Sequence, residues 1–102
     1  MLVEVLVTKD CPHEDAAIDL VAIVCRESGV TPVVMLIEVS NLDEAARQRF
    51  RGCPTIRVHG ADIDPLPGDD APSLSCRRYN TDHGHRCVPD YRLLRRALER
   101  GA

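Results

Sequence analysis

Residues 2–16, LVEVLVTKDCPHEDA, join an apolar run to a helical pattern, and a single cysteine lies between the two. The apolar run is rich in valine and leucine and carries one charge, which is typical of a buried parallel strand. Pro12 suits the first turn of a helix, and Glu14 and Asp15 complement the positive end of the helix dipole. The stretch therefore predicts a strand that leads into a helix, with Cys11 at the junction.

The alternation of strand and helix continues along the chain. Apolar residues at helical spacing predict a first helix over residues 12–28, which a glycine ends. A second buried strand is predicted at residues 33–39, VVMLIEV. Ser40 or Asn41 is expected to cap a second helix, which ends before Gly52.

The second half of the chain has shorter elements. Residues 55–59, TIRVH, alternate apolar and polar side chains as a half-exposed strand does. Residues 61–72 hold three prolines and four aspartates and are predicted to be a loop. A final strand is predicted at 73–79, SLSCRRY, followed by a polar loop. The last helix is expected to bury one stripe, formed by Tyr91, Leu94 and Leu98.

The predicted order is therefore β-α-β-α-β-β-α. Two βα units give parallel strands through crossover connections, whereas two strands joined without a helix pair in antiparallel fashion. The sequence predicts an α/β fold with a four-stranded mixed sheet and helices on both faces. We expect one domain over residues 1–102.

Composition excludes several classes of protein. The chain has 102 residues, 44% of them apolar, and a net charge of −3. A nucleic-acid-binding protein would carry a basic excess, and the arginines of the last helix are predicted to form a solvated face. The opening apolar run is too short for a signal peptide or a membrane span. We expect a cytoplasmic monomer without nucleic-acid or membrane partners.

The chain contains five cysteines, an odd number. In a cytoplasmic protein, cysteines are expected to be reduced thiols, metal ligands or redox groups rather than a secreted disulfide framework. Cys25 lies on the apolar stripe of the first helix and is predicted to be core. Cys76 lies on the predicted final strand, and the sequence does not decide which face it occupies.

Two local features accompany this element order. Cys11 follows the first strand at the start of the first helix, and Gly52-Cys53-Pro54-Thr55 leads into the third strand. On these residues the chain resembles the thioredoxin superfamily, whose reactive cysteine and cis-proline segment occupy those places, and the resemblance covers nearly the whole chain. The sequence departs from the family at Cys11-Pro12-His13-Glu14, because the family motif is C-x-x-C. Glu14 therefore stands where the family has its resolving cysteine.

The resemblance implies a pairing of two distant cysteines. In this fold the residue before the cis-proline, here Cys53, packs against the reactive Cys11, with Cα atoms about 4–6 Å apart. The catalytic residues would be Cys11, Cys53 and Pro54, with Cys11 attacking and Cys53 resolving through a disulfide. Two thiolates also suit a soft metal such as Zn²⁺, Cu⁺ or Hg²⁺. Alternatively, Cys53 is an apolar filler beside Pro54.

Further polar residues are expected around the reactive cysteine. The helix N-terminus favours the Cys11 thiolate, whereas Asp10, Glu14 and Asp15 restrain it, so only modest activation is expected. Glu14 is either a helix-terminal charge or, like Asp10, a proton donor to a leaving group. The residues predicted to lie near a substrate are Pro12, His13, Glu14, Thr55, His83 and His85.

The histidines near the C-terminus resemble a metal site at first sight. His83, His85 and Cys87 alternate around a glycine, which matches no common structural zinc spacing. A strand-to-helix loop that contacts a substrate or glutathione is the favoured interpretation.

The resemblance implies thiol–disulfide exchange or reduction of a thiol adduct, and so an oxidoreductase acting on a protein or small-molecule thiol or disulfide. Glutathione would be a co-substrate, and no resident cofactor is expected. Short thioredoxin-like chains of this layout are also grouped with relatives of alkylmercury lyase, although no catalytic residue set carries over to this sequence. The alternatives are a non-enzymatic thiolate binder of zinc or mercury and an inactive thioredoxin-like interaction module.

Overall fold

A computed structural model describes residues 1–64, 73–81 and 84–101 of the chain. Within these residues, strands and helices follow one another in the order β1 (Leu2–Thr8), α1 (Glu14–Glu27), β2 (Val33–Val39), α2 (Leu42–Gln48), β3 (Thr55–Val58), β4 (Ala61–Asp62), β5 (Tyr79–Thr81), β6 (Gly84–Arg86) and α3 (Tyr91–Gly101). No helix in this described part of the chain is long and apolar enough to cross a membrane.

The main sheet has four strands in the spatial order β2-β1-β3-β4. Strand β1 pairs in parallel with β2, so that Leu6 lies opposite Ile37. It pairs in antiparallel fashion with β3, where Val5 lies opposite Ile56, and β3 pairs antiparallel with β4. The predicted four-stranded mixed sheet is therefore confirmed. The expectation that the second βα unit also adds a parallel strand is wrong, because the chain returns from α2 in the opposite direction and β3 pairs antiparallel with β1.

The fourth strand of this sheet lies earlier in the chain than predicted. Strands β3 and β4 are joined by His59 and Gly60 alone, which have φ angles of 51° and 81°. Two consecutive positive φ angles are the mark of a tight hairpin turn, so the chain reverses at once and pairs Arg57 with Asp62. The prediction of the fourth strand at 73–79 is wrong, because a two-residue strand inside an acidic, proline-flanked stretch leaves almost no periodic signal.

The stretch predicted as the fourth strand has two other roles. Residues 73–77, which we call the crossing segment, run beside residues 50–54, and Cys53 and Cys76 form an isolated parallel bridge. Tyr79 then begins β5, which pairs with β6 in a separate two-stranded sheet. The predicted polar loop after residue 79 is therefore partly a hairpin.

Strand β2 is exposed rather than buried. Its apolar side chains retain 62% exposure at Val33, 41% at Val34, 49% at Met35 and 50% at Leu36, and only Val39 is buried. The strand lies at the edge of the sheet, with β1 as its one neighbour. A continuous apolar run predicts a strand that is covered on both faces. That prediction is wrong for β2, because the strand lies at the edge of the sheet.

Both faces of β1 are covered. Successive side chains of a strand point to opposite faces, yet Val5, Leu6 and Val7 are all almost completely buried. Helix α1 contacts β1, α3 contacts β3, and the two helices contact each other. Because α1 and α3 contact each other, they cover the same face of the sheet, and the opposite face of β1 is buried by other parts of the core, which includes Ala45 of α2 and Phe50.

The helices bury the predicted stripes, with small shifts in their ends. Helix α1 begins at Glu14 rather than residue 12, and it buries Ala17, Val21, Val24 and Cys25. At the start of α2, Asn41 Oδ1 accepts a hydrogen bond from the Glu44 amide at 2.8 Å, and Glu44 Oε2 accepts one from the Ser40 amide at 3.1 Å. The pair of bonds is close to a capping box, except that Glu44 reaches the amide of the residue before the N-cap, and it fixes the start of α2.

Helix α3 separates an apolar stripe from a basic face, as predicted. Leu94 and Leu98 are buried, and Tyr91 is half-buried against the core. The basic face is exposed to solvent and consists of Arg92, Arg95, Arg96 and Arg100.

Candidate functional site

Cys11 lies in the turn between β1 and α1. Its amide donates a hydrogen bond to the Thr8 carbonyl at 3.2 Å, and its carbonyl accepts one from the Glu14 amide at 3.3 Å. The cysteine is therefore tied to the last residue of the strand and to the first residue of the helix. Its side chain retains 9% exposure, so the sulfur lies just below the surface.

Cys53 lies in the turn before β3, and its peptide bond to Pro54 is cis, as the resemblance implied. Thr55 Oγ1 donates a hydrogen bond to the Gly52 carbonyl at 2.8 Å, and the Thr55 side chain is fully buried. The Tyr79 hydroxyl donates to the Pro54 carbonyl at 2.6 Å. These side-chain hydrogen bonds therefore fix the turn.

Tyr79 is a residue that the sequence analysis did not connect with the site. Its side chain is fully buried, and burial raises the pKa of its phenol above the ordinary range. The hydroxyl therefore stays protonated and remains a donor to the Pro54 carbonyl throughout the neutral range. A lone tyrosine at the start of a polar stretch gave no sequence signal for this contact.

The crossing segment covers the turn that contains Cys53. The Cys53 amide donates to the Ser75 carbonyl at 2.9 Å, and the Cys53 carbonyl accepts from the Arg77 amide at 3.0 Å. Gly52 permits this approach, because a Cβ atom there would lie 2.7 Å from the Ser75 oxygen. The backbone around Cys53 is thus hydrogen-bonded on both sides of the residue.

Cys11 and Cys53 are joined by a disulfide across 42 residues of sequence. Their Cα atoms are 6.5 Å apart, slightly more than the expected range of about 4–6 Å but within the distance that a disulfide spans. Cys53 is 4% exposed. The pairing implied by the resemblance is present in the structure.

A second disulfide joins Cys76 of the crossing segment to Cys87, which follows β6. Their Cα atoms are 6.0 Å apart, and 11 residues separate them in sequence. Of the five cysteines, Cys25 alone is a reduced thiol in this structure, because the other four are paired. The expectation that the paired cysteines are redox groups stays a prediction. Folding brings the crossing segment beside the end of the hairpin, which spacing in the sequence could not show.

His13 lies beside the second disulfide. One imidazole nitrogen of His13 and the Sγ atoms of Cys76 and Cys87 all lie within 4.8 Å of one another. His13 is half-buried, Cys87 is half-buried and Cys76 is exposed. His13, which was predicted to lie near the substrate, therefore lies close to the second disulfide.

The other predicted site residues have varied positions. Pro12 is exposed in the turn before α1, and Glu14 is half-buried in the first turn of that helix, where its charge suits the dipole. His83 lies outside the described residues. The backbone of His85 belongs to β6, rather than to the loop that was predicted there.

A buried arginine anchors the crossing segment. Arg77 is 4% exposed; its Nη1 donates to Asp62 Oδ2 at 2.9 Å and its Nη2 to the Asp64 carbonyl at 2.7 Å. Its guanidinium carbon also lies 4.7 Å from the centre of the Tyr79 ring. Buried guanidinium groups need such partners. The aspartates of the predicted loop indicated that a cationic partner is needed there, but the sequence does not show that this partner is Arg77.

An open cleft of about 400 Å³ lies where β1 and β2 end, between these strands and the crossing segment. Ligands commonly bind at the carboxyl ends of parallel strands. The cleft is lined by Thr8, Lys9, Glu38, Val39, Ser40 and Leu74.

No protein-family model, no curated protein and no solved structure matches the chain. The fold and the site define a small α/β domain with a four-stranded mixed sheet, in which two cysteine pairs meet at the crossing segment.

Proposed function

We propose that the chain is a thioredoxin-like protein that carries out thiol–disulfide exchange with Cys11 and Cys53 as its reactive pair. The observation that carries the proposal is the disulfide between the cysteine before α1 and the cysteine before β3. The parallel pairing of β1 with β2 and the antiparallel pairing of β3 with β4 also support the proposal. Cys53 then supplies the resolving thiol that is absent at Glu14.

In the proposed reaction, the dithiol form of the protein supplies the two electrons that reduce the substrate disulfide. The Cys11 thiolate attacks one sulfur of a substrate disulfide, forms a mixed disulfide with it and expels the other substrate thiolate, which takes up a proton. The Cys53 thiolate then attacks Cys11 Sγ, forms the Cys11–Cys53 disulfide and expels the second substrate thiol. The substrate is reduced by two electrons, and a thiol reductant such as glutathione restores the dithiol.

The position of Cys11 supports its role as the attacking residue. It is the more exposed of the two cysteines, and it precedes the N-terminus of α1, where the helix dipole favours a thiolate. The open cleft borders Thr8, whose carbonyl accepts a hydrogen bond from the Cys11 amide. The cleft therefore adjoins the turn that holds Cys11, and we expect the protein or small-molecule disulfide to bind on this side of the molecule. The proposal includes a cytoplasmic setting, in which catalytic disulfides form transiently.

Trapping of a mixed disulfide tests the proposal. The reduced Cys53→Ser variant, treated with glutathione disulfide, should accumulate one glutathione on Cys11, because the resolving thiol is missing. The reduced wild type should instead end with a Cys11–Cys53 disulfide and no adduct. Peptide mapping by mass spectrometry identifies both products. Reduction of insulin is expected to be weak, because no second cysteine lies in the helix turn that begins at Cys11.

Matched variants separate the proposal from its rivals. Cys25→Ser should behave as the wild type, and Cys11→Ser should give no adduct on Cys53. An adduct that forms elsewhere in Cys53→Ser, or a Cys11 that reacts no faster than a cysteine in the denatured chain, would contradict the proposal and favour an inactive interaction module. Zinc or mercury retained by the wild type but lost in Cys11→Ser, without exchange, would favour a thiolate metal binder.

A further inference from the structure

His13, Cys76 and Cys87 come from three separate parts of the chain. His13 precedes α1, Cys76 belongs to the crossing segment, and Cys87 follows β6. Their ligand atoms nevertheless lie within 4.8 Å of one another. These residues are far apart in sequence, and the proposed exchange at Cys11 and Cys53 does not use them. Their proximity is therefore not explained by that function.

The donor set and its spacing suit one kind of ligand. Two thiolates and one imidazole are ligands that Zn²⁺ prefers, with bond lengths of about 2.3 Å to sulfur and about 2.0–2.1 Å to nitrogen. In a tetrahedral site these bonds place neighbouring ligand atoms about 3.6–3.8 Å apart. The three ligand atoms lie within 4.8 Å of one another, so an ion can be held once the bond between the two sulfur atoms is broken and they move apart to the ligand spacing.

We propose that the reduced protein binds one Zn²⁺ ion through His13, Cys76 and Cys87. Three protein ligands leave the fourth tetrahedral position open to water or to an external thiolate, as in zinc sites that act on a ligand. The site is distinct from the reactive pair of the proposed function, and its presence does not depend on exchange at Cys11.

Access to the site is controlled by oxidation. A dithiol reductant transfers two electrons and two protons to the Cys76–Cys87 disulfide and is itself converted to a disulfide. Zn²⁺ then displaces one proton from each thiol, so that two protons leave for every ion bound. The oxidised protein lacks both thiolates and therefore does not bind the ion at this site.

The surrounding backbone holds the ligands in place after reduction. Residues on both sides of Cys76 are hydrogen-bonded to Cys53, through the Ser75 carbonyl and the Arg77 amide. Arg77 in turn is fixed by its ion pair with Asp62. Because Cys76 is already positioned, binding requires little additional ordering of the chain.

Zinc titration of the full chain tests the inference. The protein is reduced with a dithiol, freed of reductant without oxygen, and titrated with Zn²⁺ against a competing chelator. We expect one equivalent of tightly bound zinc, the release of about two protons per ion, and no tight binding by the oxidised protein. Cobalt substitution should give the visible absorption of a tetrahedral thiolate site.

Variants locate the ion. Losing an outer-shell partner already costs about 10–100-fold in metal affinity, so losing a ligand in His13→Gln, Cys76→Ser or Cys87→Ser should weaken binding at least about 100-fold. Cys25→Ser and the Cys11→Ser/Cys53→Ser double variant should keep wild-type affinity. Zinc retained by His13→Gln and Cys76→Ser, lost in the Cys11/Cys53 double variant, or bound equally by the oxidised protein would overturn the inference. If a cysteine variant fails to fold by circular dichroism, His13→Gln decides, because it leaves both pairs intact.

Discussion

Gly52 lies where the crossing segment approaches the turn before β3 most closely. Its φ angle is 122°, and a Cβ atom would lie 2.7 Å from the Ser75 carbonyl oxygen and 2.9 Å from the Arg77 amide nitrogen. Both obstacles are backbone atoms, so they cannot move aside as a flexible side chain does. The residue next to Cys53 is thus restricted to glycine.

We predict that Gly52→Ala lowers the free energy of unfolding by about 3 kcal/mol or more, since backbone strain and a steric clash add together. The matched control is Gly29→Ala, because Gly29 also has a positive φ angle, 70°, but has nothing within 4 Å of its Cβ position. That change should cost only about 1 kcal/mol. Urea unfolding of the oxidised proteins measures both, and equal losses would contradict the close approach at Gly52.

Cys25 is the one free cysteine, and burial in the core raises the pKa of its thiol, partly offset by the positive N-terminus. In the unfolded chain the same thiol ionises at its ordinary pKa of about 8.5. Its contribution to stability is therefore complete below that pH and is lost as the pH rises towards the raised pKa of the folded state.

We predict that the free energy of unfolding of the wild type falls more steeply above about pH 8.5 than that of Cys25→Ala, which has no thiol to ionise. Stopped-flow unfolding and refolding measures the difference before thiol exchange scrambles the disulfides. Parallel pH profiles for the two proteins would show that the Cys25 thiol ionises equally well in the folded state.

At the scale of elements, β1 and β2 differ sharply although their sequences look alike. Both are seven-residue apolar runs paired in parallel. The central strand β1 buries all its apolar residues after Leu2, whereas the edge strand β2 leaves Val33, Val34, Met35 and Leu36 exposed. Position in the sheet therefore sets how much each strand contributes to the core.

A matched pair of substitutions tests this difference. Leu6 in β1 is fully buried and Leu36 in β2 is 50% exposed. Leu6→Ala should lower the free energy of unfolding by about 2–5 kcal/mol, because it leaves a cavity in the core. Leu36→Ala should cost less than about 1 kcal/mol. Similar losses in urea unfolding would mean that β2 is covered in solution.

At the scale of the whole molecule, the two disulfides close loops of different length. The Cys11–Cys53 bond spans 42 residues and the Cys76–Cys87 bond spans 11. A longer loop loses more entropy in the unfolded chain when it is closed. The first bond joins the turn after β1 to the turn before β3. The second bond joins the crossing segment to the residue that follows β6.

We predict that the oxidised Cys11→Ser/Cys53→Ser variant loses about 4 kcal/mol of stability and that Cys76→Ser/Cys87→Ser loses about 3 kcal/mol. Unfolding in urea measures both values, and the fully reduced wild type should lose both contributions. A larger loss from the shorter loop would indicate that contacts made by the crossing segment, rather than chain entropy, dominate.

Much of the fold could be predicted because it depends on local patterns. The apolar stripes of α1 and α3, the capping at Asn41 and the strands β1 and β3 are each encoded by residues close together in sequence. The pairing of Cys11 with Cys53 could be predicted only through the resemblance, since nothing local connects residues 42 positions apart.

The sequence by itself determined the three helices with their apolar stripes and the strands β1, β2 and β3, because periodicity is a property of neighbouring residues. The short strands β4, β5 and β6 leave too little periodic signal to be determined in this way. Only the tertiary structure decided that β2 lies at an edge, that Cys76 pairs with Cys87 beside His13, and that Arg77 meets Asp62. The physical reason is that the type of a side chain determines whether it must be buried or paired. Which residue it is buried against or paired with depends on the order of the strands and on the path of the crossing segment.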